Sequence, residues 1–436
     1  MAFTRTGRTA MAVAAAAALA AVAPAASQAH FTAPFKTAGS GSSISGIGSS
    51  LQADAQNLWT AGFASEFPGL SVTYSASSSS AGLSAFGAAD GTRDATNRFA
   101  ATDEPPTDGQ LNRMDRGGAT AREIPVASES IAVIVHFPDG CAIPADAAYP
   151  AGPITQTSQF VVSNAQLENA FAGDPSVATW GELLPSLTGT DANGNTCADL
   201  PIVRVARSDD AGTTFVFKRW LKTINHSRGW KTGAKQNLTW PNDSGATAVT
   251  RTPDTVANGD FAEAAIVSRT DGSIGYASLS TARDRGFDQQ PGSLDNDIWI
   301  PIHDRGGNVV EPTSAPSSFT DGTPGANCAA PAYENVPTFS FDPTASSWRS
   351  VTAAKTSNGY PLCALTYDLA WNDSSVVYGD STSEQAQQRT VKDYLGYVLG
   401  TDGQAALATS DYSPLPADIL KLAKKGQKQV GWNKFF

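Results

Sequence analysis

The sequence predicts an α/β fold with mostly parallel sheets. Strand-like segments alternate along the chain with segments that carry the 3.6-residue apolar period of helices. One strand-like segment, residues 131–135, is apolar throughout, which is typical of a strand buried on both faces. Three loops of small polar residues each come just before a predicted helix. The chain of 436 residues is long enough for two or three domains.

The first of these elements lie between residues 45 and 127. A helix is predicted from Leu51 to Phe67, with Ser50 at its N-cap, and a strand follows at 70–74. The serine-rich loop 75–82 then leads into a helix start at 83–86; read alone, such a run is typical of a solvated linker. The remaining predicted elements are a strand end at 99–102, strands at 124–127 and 131–135, helices at 164–171 and 180–184, a strand at 201–206, helices at 217–224 and 256–265, a strand at 272–277, a long loop region at 308–333, a strand at 360–367, and helices at 391–399, 403–408 and 417–423.

The N-terminus has the pattern of a secretory signal peptide. Two arginines precede an alanine-dominated apolar run, and small residues stand before His30, so cleavage is expected after Ala29. No cysteine near that point offers a lipid anchor, and no later stretch has the length of a membrane span. We therefore expect an exported protein, either periplasmic, held at the cell surface or secreted.

Charge argues against a polyanionic partner. The whole chain has a formal net charge of −11, and removal of the leader leaves 28 basic against 41 acidic residues. Nucleic acid and anionic membranes are therefore disfavoured. A small anion is not excluded, because charges farther than about 8 Å are largely screened and local donors govern a buried site.

Four cysteines fit an oxidising compartment. They allow three pairings, and we favour Cys141 with Cys197 and Cys328 with Cys363, because each pair then brackets one loop-rich region. Neither their spacing nor the four histidines suggest a metal centre, and no cofactor is predicted.

The segment from Arg207 to Phe217 is the strongest candidate for function. It joins a predicted strand to a predicted helix through a loop of small residues, and a helix start of this kind presents unpaired N–H groups at the positive end of the helix dipole. Arg207 adds a planar fork for two oxygens, which Asp209 can orient by a salt bridge. The alternative is an ordinary capped helix with a surface Arg–Asp pair.

Ten short segments, spread in order over nearly all of the chain after the leader, resemble those of PstS-type phosphate-binding proteins, the extracytoplasmic substrate-binding components of phosphate importers. Residues 207–215, which read RSDDAGTTF, are the most specific of them. The others are SGIGSSL at 45–51, VTYS at 72–75 with the serine loop after it, FAATD at 99–103, IPVA at 124–127, WP at 240–241, IGY at 274–276, VVEPT at 309–313, YPL at 360–362 and YSPLP at 412–416.

The resemblance implies a two-lobed, type II periplasmic-binding-protein fold. Each lobe is a mixed, mostly parallel sheet flanked by helices, and the chain crosses between lobes twice. With crossings near Val126 and Tyr276, the first lobe is residues 30–126 plus 277–436 and the second is 127–276. The implied protein is a monomer that binds inorganic phosphate for an ABC importer permease.

The resemblance also implies a ligand set. It comprises Ser50, Leu51 through its amide, Ser79, Asp103, Arg207, Asp209 as the acid that orients the arginine, and the Ala211, Gly212 and Thr213 turn. Asp103 would accept the proton that phosphate keeps and sulfate lacks. Taken alone, Asp103 would be a turn-forming aspartate.

Two positions depart from the family pattern. Ala211 stands where a serine hydroxyl is usual, and Asp210 adds a carboxylate where glycine is usual. A related oxyanion is therefore an alternative ligand. Two further alternatives are a secreted hydrolase with Ser50 or Ser79 as nucleophile, which lacks a G-x-S-x-G motif, and an interaction protein that has lost tight phosphate binding. Binding without catalysis is the prediction.

Overall fold

A ten-stranded mixed sheet runs through the protein, and helices flank it. The computed structural model describes residues 41–115, 118–142, 162–253, 259–287, 297–313, 325–328, 333–338 and 348–432. The predicted leader at 1–29 lies outside these ranges, as do most of the loop residues 314–332. The described residues belong to one unit, Ala33–Phe436.

Strands and helices alternate as predicted over most of the described chain. The strands are β1 Ile44–Ser49, β2 Val72–Ser77, β3 Phe99–Thr102, β4 Ala121–His136, β5 Cys141–Ala142, β6 Thr188–Gly189, β7 Val203–Ala206, β8 Thr250–Arg251, β9 Ser273–Ser278, β10 Asp297–Ile300, β11 Ile302–His303, β12 Val309–Val310, β13 Cys363–Trp371 and β14 Tyr412–Ser413. The helices are α1 Ala53–Glu66, α2 Ser79–Ala85, α3 Asp108–Met114, α4 Asn164–Ala172, α5 Trp180–Leu183, α6 Gly212–Ile224, α7 Gly259–Val267, α8 Leu279–Asp284, α9 Ser375–Tyr378, α10 Thr382–Val398, α11 Thr401–Ala406 and α12 Ala417–Lys428. Within the described ranges, no helix combines the length and apolar content needed to cross a bilayer.

The main sheet is parallel at both ends and antiparallel in the middle. Its strand order is β2-β1-β3-β13-β4-β9-β7-β8, with β10 and β14 paired to β4. β1 runs parallel to β2 and β3, and β7 runs parallel to β8 and β9, whereas β13 and β9 are antiparallel to β4. The predicted α/β class with mixed sheets is therefore confirmed.

β4 is one strand of 16 residues, where the sequence predicts two. The polar residues between the two apolar runs, Ser128 to Ser130, do not turn, because they are buried and pair with β13. β4 pairs with β13 up to Ser130 and with β9 from Ile131 onward. A single strand thus belongs to both halves of the sheet.

Each half of the sheet has its own core, which gives the two-lobed fold. In the first half, Trp59 and Phe63 of α1 pack with Tyr394 of α10. In the second half, Phe217 of α6 stacks on Tyr276 of β9 at 4.4 Å between ring centroids. The predicted boundaries near residues 126 and 276 stay a prediction.

Two disulfide bonds each link a pair of segments. Cys141 of β5 is bonded to Cys197, and Cys328 is bonded to Cys363 of β13, which is the pairing favoured from the sequence. The closed loops have sequence separations of 56 and 35 residues, so the loop-entropy model assigns each bond roughly 4 kcal/mol of stabilisation.

Candidate functional site

Three strand-to-helix junctions, after β1, β2 and β7, lie close together. Ser50 follows β1, Ser79 begins α2 after β2, and Arg207 follows β7. β1 and β2 are parallel and end on the same side, whereas β7 runs in the opposite direction, because the pairs β3–β13, β13–β4 and β4–β9 are all antiparallel. The end of β7 therefore approaches the ends of β1 and β2 from the other half of the sheet. Direct contacts join the three junctions to one another and to Asp103, which follows β3.

The turn after β1 is capped by Ser49, not by Ser50 as predicted. The chain enters a short 3₁₀ turn, Ser50–Gln52, before α1, which moves the cap one residue upstream. The Leu51 N–H donates to Ser49 Oγ at 3.1 Å. The hydroxyl oxygen of Ser50 is thereby left to accept from Arg207 Nη1 at 3.1 Å. The predicted role of the Leu51 amide as a ligand donor stays a prediction.

Asp103 is held by hydroxyl groups from three separate segments. Ser49 and Ser79 donate to Oδ2, the latter at 3.1 Å, and Thr366 of β13 donates to Oδ1 at 2.7 Å. The Asp103 N–H also donates to Ser79 Oγ at 2.9 Å. These contacts lie outside its own turn, so Asp103 is more than a turn-forming residue. Sequence analysis did not identify Ser49 or Thr366.

Burial sets the protonation of Asp103. The residue is 2% exposed, and burial raises the pKa of its carboxyl group to about 6, although the Ser49 and Thr366 hydroxyls counteract part of the rise. Within the described part of the chain Thr366 is the one hydroxyl donor to Oδ1, so that oxygen can accept a second hydrogen bond. The group can therefore receive a proton from a bound partner near neutral pH.

Arg207 is 1% exposed and lies between two carboxylates. Its Nε donates to Asp209 Oδ1 at 2.7 Å and its Nη2 donates to Asp209 Oδ2, which is the ion pair expected from the sequence. Its Nη1 donates to Asp260 Oδ1. Burial alone would lower the pKa of Arg207, but Asp260 and Asp209 outweigh it and raise that pKa above its usual range.

Asp260 is a site residue that sequence reasoning missed. It is fully buried at the start of α7 and accepts a second hydrogen bond from Thr213 Oγ1 at 3.1 Å. An acid in the first turn is common in helices, so the sequence pattern does not distinguish Asp260 as a site residue. The one available signal is the preceding Gly259, where a Cβ atom would overlap the Arg207 guanidinium.

The first turn of α6 lies against Asp103 and Ser79. Its N-cap, Ala211, has no side-chain oxygen, so the first amides are not capped by a side chain. A Cβ atom on Gly212 would lie 2.7 Å from Asp103 Cβ and 2.8 Å from Asp103 Oδ2, and it would also overlap Ser79 Oγ. Only glycine allows this approach.

Asp210 does not face Arg207. Its carboxylate accepts from Lys235 N at 2.6 Å and from Asn237 Nδ2 at 2.8 Å. Asn237 also donates to Glu104 Oε2 at 2.7 Å, and burial followed by repulsion from Asp210 raises the pKa of Glu104 to about 7. The extra carboxylate expected beside the cradle is thus part of a second link between the loop after β3 and the loop after α6.

Together these groups form a buried set of hydroxyls, helix amides, one guanidinium and one carboxylate of raised pKa. Neutral donors and a single cation can replace the water molecules around an oxyanion, so the site needs no cluster of positive side chains. Of the predicted set, the structure joins Ser50, Ser79, Asp103, Arg207, Asp209, Gly212 and Thr213 by contacts that run directly or through Asp260. Ala211 supplies the uncapped helix start.

Comparison with known proteins identifies a superfamily and several relatives. A family model described as the PBP superfamily domain matches residues 21–402. The phosphate-binding protein PstS of Methanocaldococcus jannaschii is 26% identical over 221 residues, which cover 51% of this chain and 49% of that protein. The chain spans about half the length of the curated relatives it matches.

Solved structures show the same fold at lower identity. The periplasmic phosphate-binding protein PfluDING, bound with phosphate, has a TM-score of 0.58 and 19% identity, with coverage of 90% of this chain and 96% of that one. A human phosphate-binding apolipoprotein has a TM-score of 0.56 and 20% identity, covering 86% and 92%. By the family model that matches most of its length, the chain belongs to the PBP superfamily, and it is similar to PstS phosphate-binding proteins.

Proposed function

We propose that this protein captures inorganic phosphate, as HPO₄²⁻ or H₂PO₄⁻, in the cleft between its lobes and presents it to an ABC-type importer. The observation that carries the proposal is the convergence of Ser50, Ser79, Asp103 and Arg207 on the uncapped start of α6. Four distant segments supply complementary donors and one acceptor at a single buried place.

Asp103 supports phosphate over sulfate. Phosphate keeps at least one proton at neutral pH and can donate it to a carboxylate, whereas sulfate would bring unpaired negative charge against that group. Leaving a buried charged group unpaired costs on the order of several kcal/mol. The open acceptor position on Oδ1 is consistent with this role.

Ala211 supports a second candidate ligand, a related oxyanion such as a phosphonate. The residue has no hydroxyl to donate, and a hydrogen bond to a charged group contributes roughly 1.5–3 kcal/mol, so phosphate affinity is expected to be about ten- to a hundredfold lower than with a serine. Binding rather than catalysis is proposed, because Ser50 and Ser79 bond to Arg207 and Asp103 in a manner suited to holding an anion.

Ligand capture is proposed to close the lobes, taken as residues 30–126 plus 277–436 and 127–276. Contacts between these segments, such as Ser50 with Arg207 and Glu104 with Asn237, favour the closed arrangement. A ligand that touches both sides stabilises that arrangement by its differential affinity. Export through a cleaved leader, a monomeric state and an importer permease as partner belong to the same proposal.

Calorimetric titration of residues 30–436 with phosphate, sulfate and methylphosphonate in turn tests the proposal. We expect saturable binding with phosphate tightest, and no detectable binding to the Arg207→Ala variant. Arg251→Ala is the matched control, since that arginine lies in the same lobe and pairs with Asp243 at the surface. Equal affinity of Arg207→Ala and wild type would refute the site, and turnover of chromogenic phosphoesters lost on change of Ser79 would favour an enzyme instead.

A further inference from the structure

The guanidinium of Arg207 is almost fully used by the chain itself. Of its five N–H groups, Nε–H and one Nη2–H go to Asp209, and the two on Nη1 go to Asp260 Oδ1 and Ser50 Oγ. Among the residues that the structure describes, none accepts from the second N–H of Nη2. In this arrangement Arg207 cannot offer the two-pronged fork that makes arginine a strong oxyanion ligand.

Asp260 also holds a second predicted ligand donor. The hydroxyl of Thr213 lies 3.1 Å from Oδ1 and 3.3 Å from Oδ2 of Asp260, and the Ser278 N–H lies 3.4 Å from Oδ2. The fully buried carboxylate of Asp260 accepts hydrogen bonds from a guanidinium and from a hydroxyl group. A bound oxyanion would accept from the same types of donor. Two acidic side chains, Asp209 and Asp260, thus bond to the single arginine.

We propose that Asp260 is a resident competitor of the ligand, which occupies the Arg207 Nη1 and Thr213 donors and sets the affinity of the site for oxyanions. The inference rests on the proposed function of the same site. For a phosphate oxygen to reach those donors, the start of α7 has to give up its contact with Arg207. The free energy of that exchange is subtracted from the free energy of ligand binding.

A different role for Asp260 gives the opposite result on mutation. If Asp260 only positioned Arg207, removing its charge would loosen the arginine and weaken binding. If Asp260 competes, removing its charge frees the donors and strengthens binding. Because the competition concerns donors and not the ligand's proton, it acts on phosphate and sulfate alike, which separates Asp260 from Asp103.

The test is calorimetry on wild type, Asp260→Asn and Asp260→Ser with phosphate and with sulfate. A charge-assisted hydrogen bond is stronger than a neutral one by about 1 kcal/mol, so each variant is expected to bind both anions about fivefold more tightly, with the phosphate-to-sulfate ratio unchanged. Glu263→Gln is the matched control: it is a buried acid on the same helix, its side chain accepts from Tyr276 N at 3.1 Å, and burial already raises its pKa well above the usual range. Its affinity should equal that of wild type.

Each result decides the matter. Unchanged or weaker binding by the Asp260 variants, with wild type binding phosphate, overturns the competitor role and leaves the proposed function intact. Absence of oxyanion binding in wild type and in all variants overturns both. Failure of both Asp260 variants to fold, seen by circular dichroism, would show that the contact with Arg207 is required by the fold, and it would likewise overturn the competitor role.

Discussion

Replacing Gly212 by alanine tests whether the closed approach of α6 to Asp103 is needed for binding. The added methyl group would lie 2.7 Å from Asp103 Cβ, whereas carbon atoms in contact are about 3.5–4.0 Å apart. The start of α6 therefore has to withdraw by about 1 Å. Overpacking of this kind costs about 1–3 kcal/mol, so we expect phosphate affinity to fall roughly 5- to 150-fold.

Isothermal titration calorimetry measures this loss, and thermal melting without ligand is the companion measurement. Gly109→Ala is a matched control, because Gly109 lies in the first turn of α3 and its added methyl group would find its nearest neighbour 3.7 Å away. That variant should bind like wild type. Wild-type affinity in Gly212→Ala would show that the ligand is held without this approach, and the reasoning from the closed site would be refuted.

Two further predictions concern acidic groups. Asp103→Asn should lower the phosphate-to-sulfate affinity ratio by roughly ten- to a hundredfold, measured by the same titrations. Asp210→Asn is the control and should leave the ratio unchanged, because the Asp210 side chain accepts from Lys235 and Asn237. An unchanged ratio in Asp103→Asn would show that Asp103 does not act as the proton acceptor. Asp368→Asn should be more stable than wild type at pH 8, because burial raises the pKa of Asp368 to about 8 and the folded state keeps a proton that the unfolded state releases above about pH 4. The contribution of Asp368 to the free energy of unfolding therefore falls by up to about 1.4 kcal/mol per pH unit between pH 4 and 8. Urea denaturation of both proteins across that range measures this change. A difference in unfolding free energy that stays the same at every pH would contradict the prediction.

The sequence was sufficient for the pattern of strands and helices and for the loops at the site. The period of Phe217, Trp220 and Leu221 predicts the apolar face of α6 correctly, since all three are buried, but the helix begins at Gly212 and not at residue 217. The division of β4 into two strands was wrong, because local polarity at residues 128–130 cannot reveal that β13 lies beside them and pairs with each residue. Long-range pairing overrides local pattern there.

The candidate site was predicted only where its residues lie in recognisable loops. Asp260 and Thr366 stand on a helix and a strand far from those loops, and each reaches the site through the tertiary fold. The displaced cap at Ser49 has a local cause, since a 3₁₀ turn before α1 is not distinguishable from the first turn of an α-helix in a Gly/Ser-rich stretch. The contact of Ser50 with Arg207 was not predicted from the sequence, which named Ser50 as an N-cap and as a contact of the ligand.

The unbroken run of β4 through both halves of the sheet limits how the cleft can open. A flexible turn would let the lobes swing through a wide angle, but a strand whose amides are bonded to β13 on one stretch and to β9 on the next can only twist or bend. If the lobes open as proposed, the deformation of β4 would have to be spread over several residues. For the proposed phosphate site, such a strand would favour a small opening, which is enough to admit a small anion.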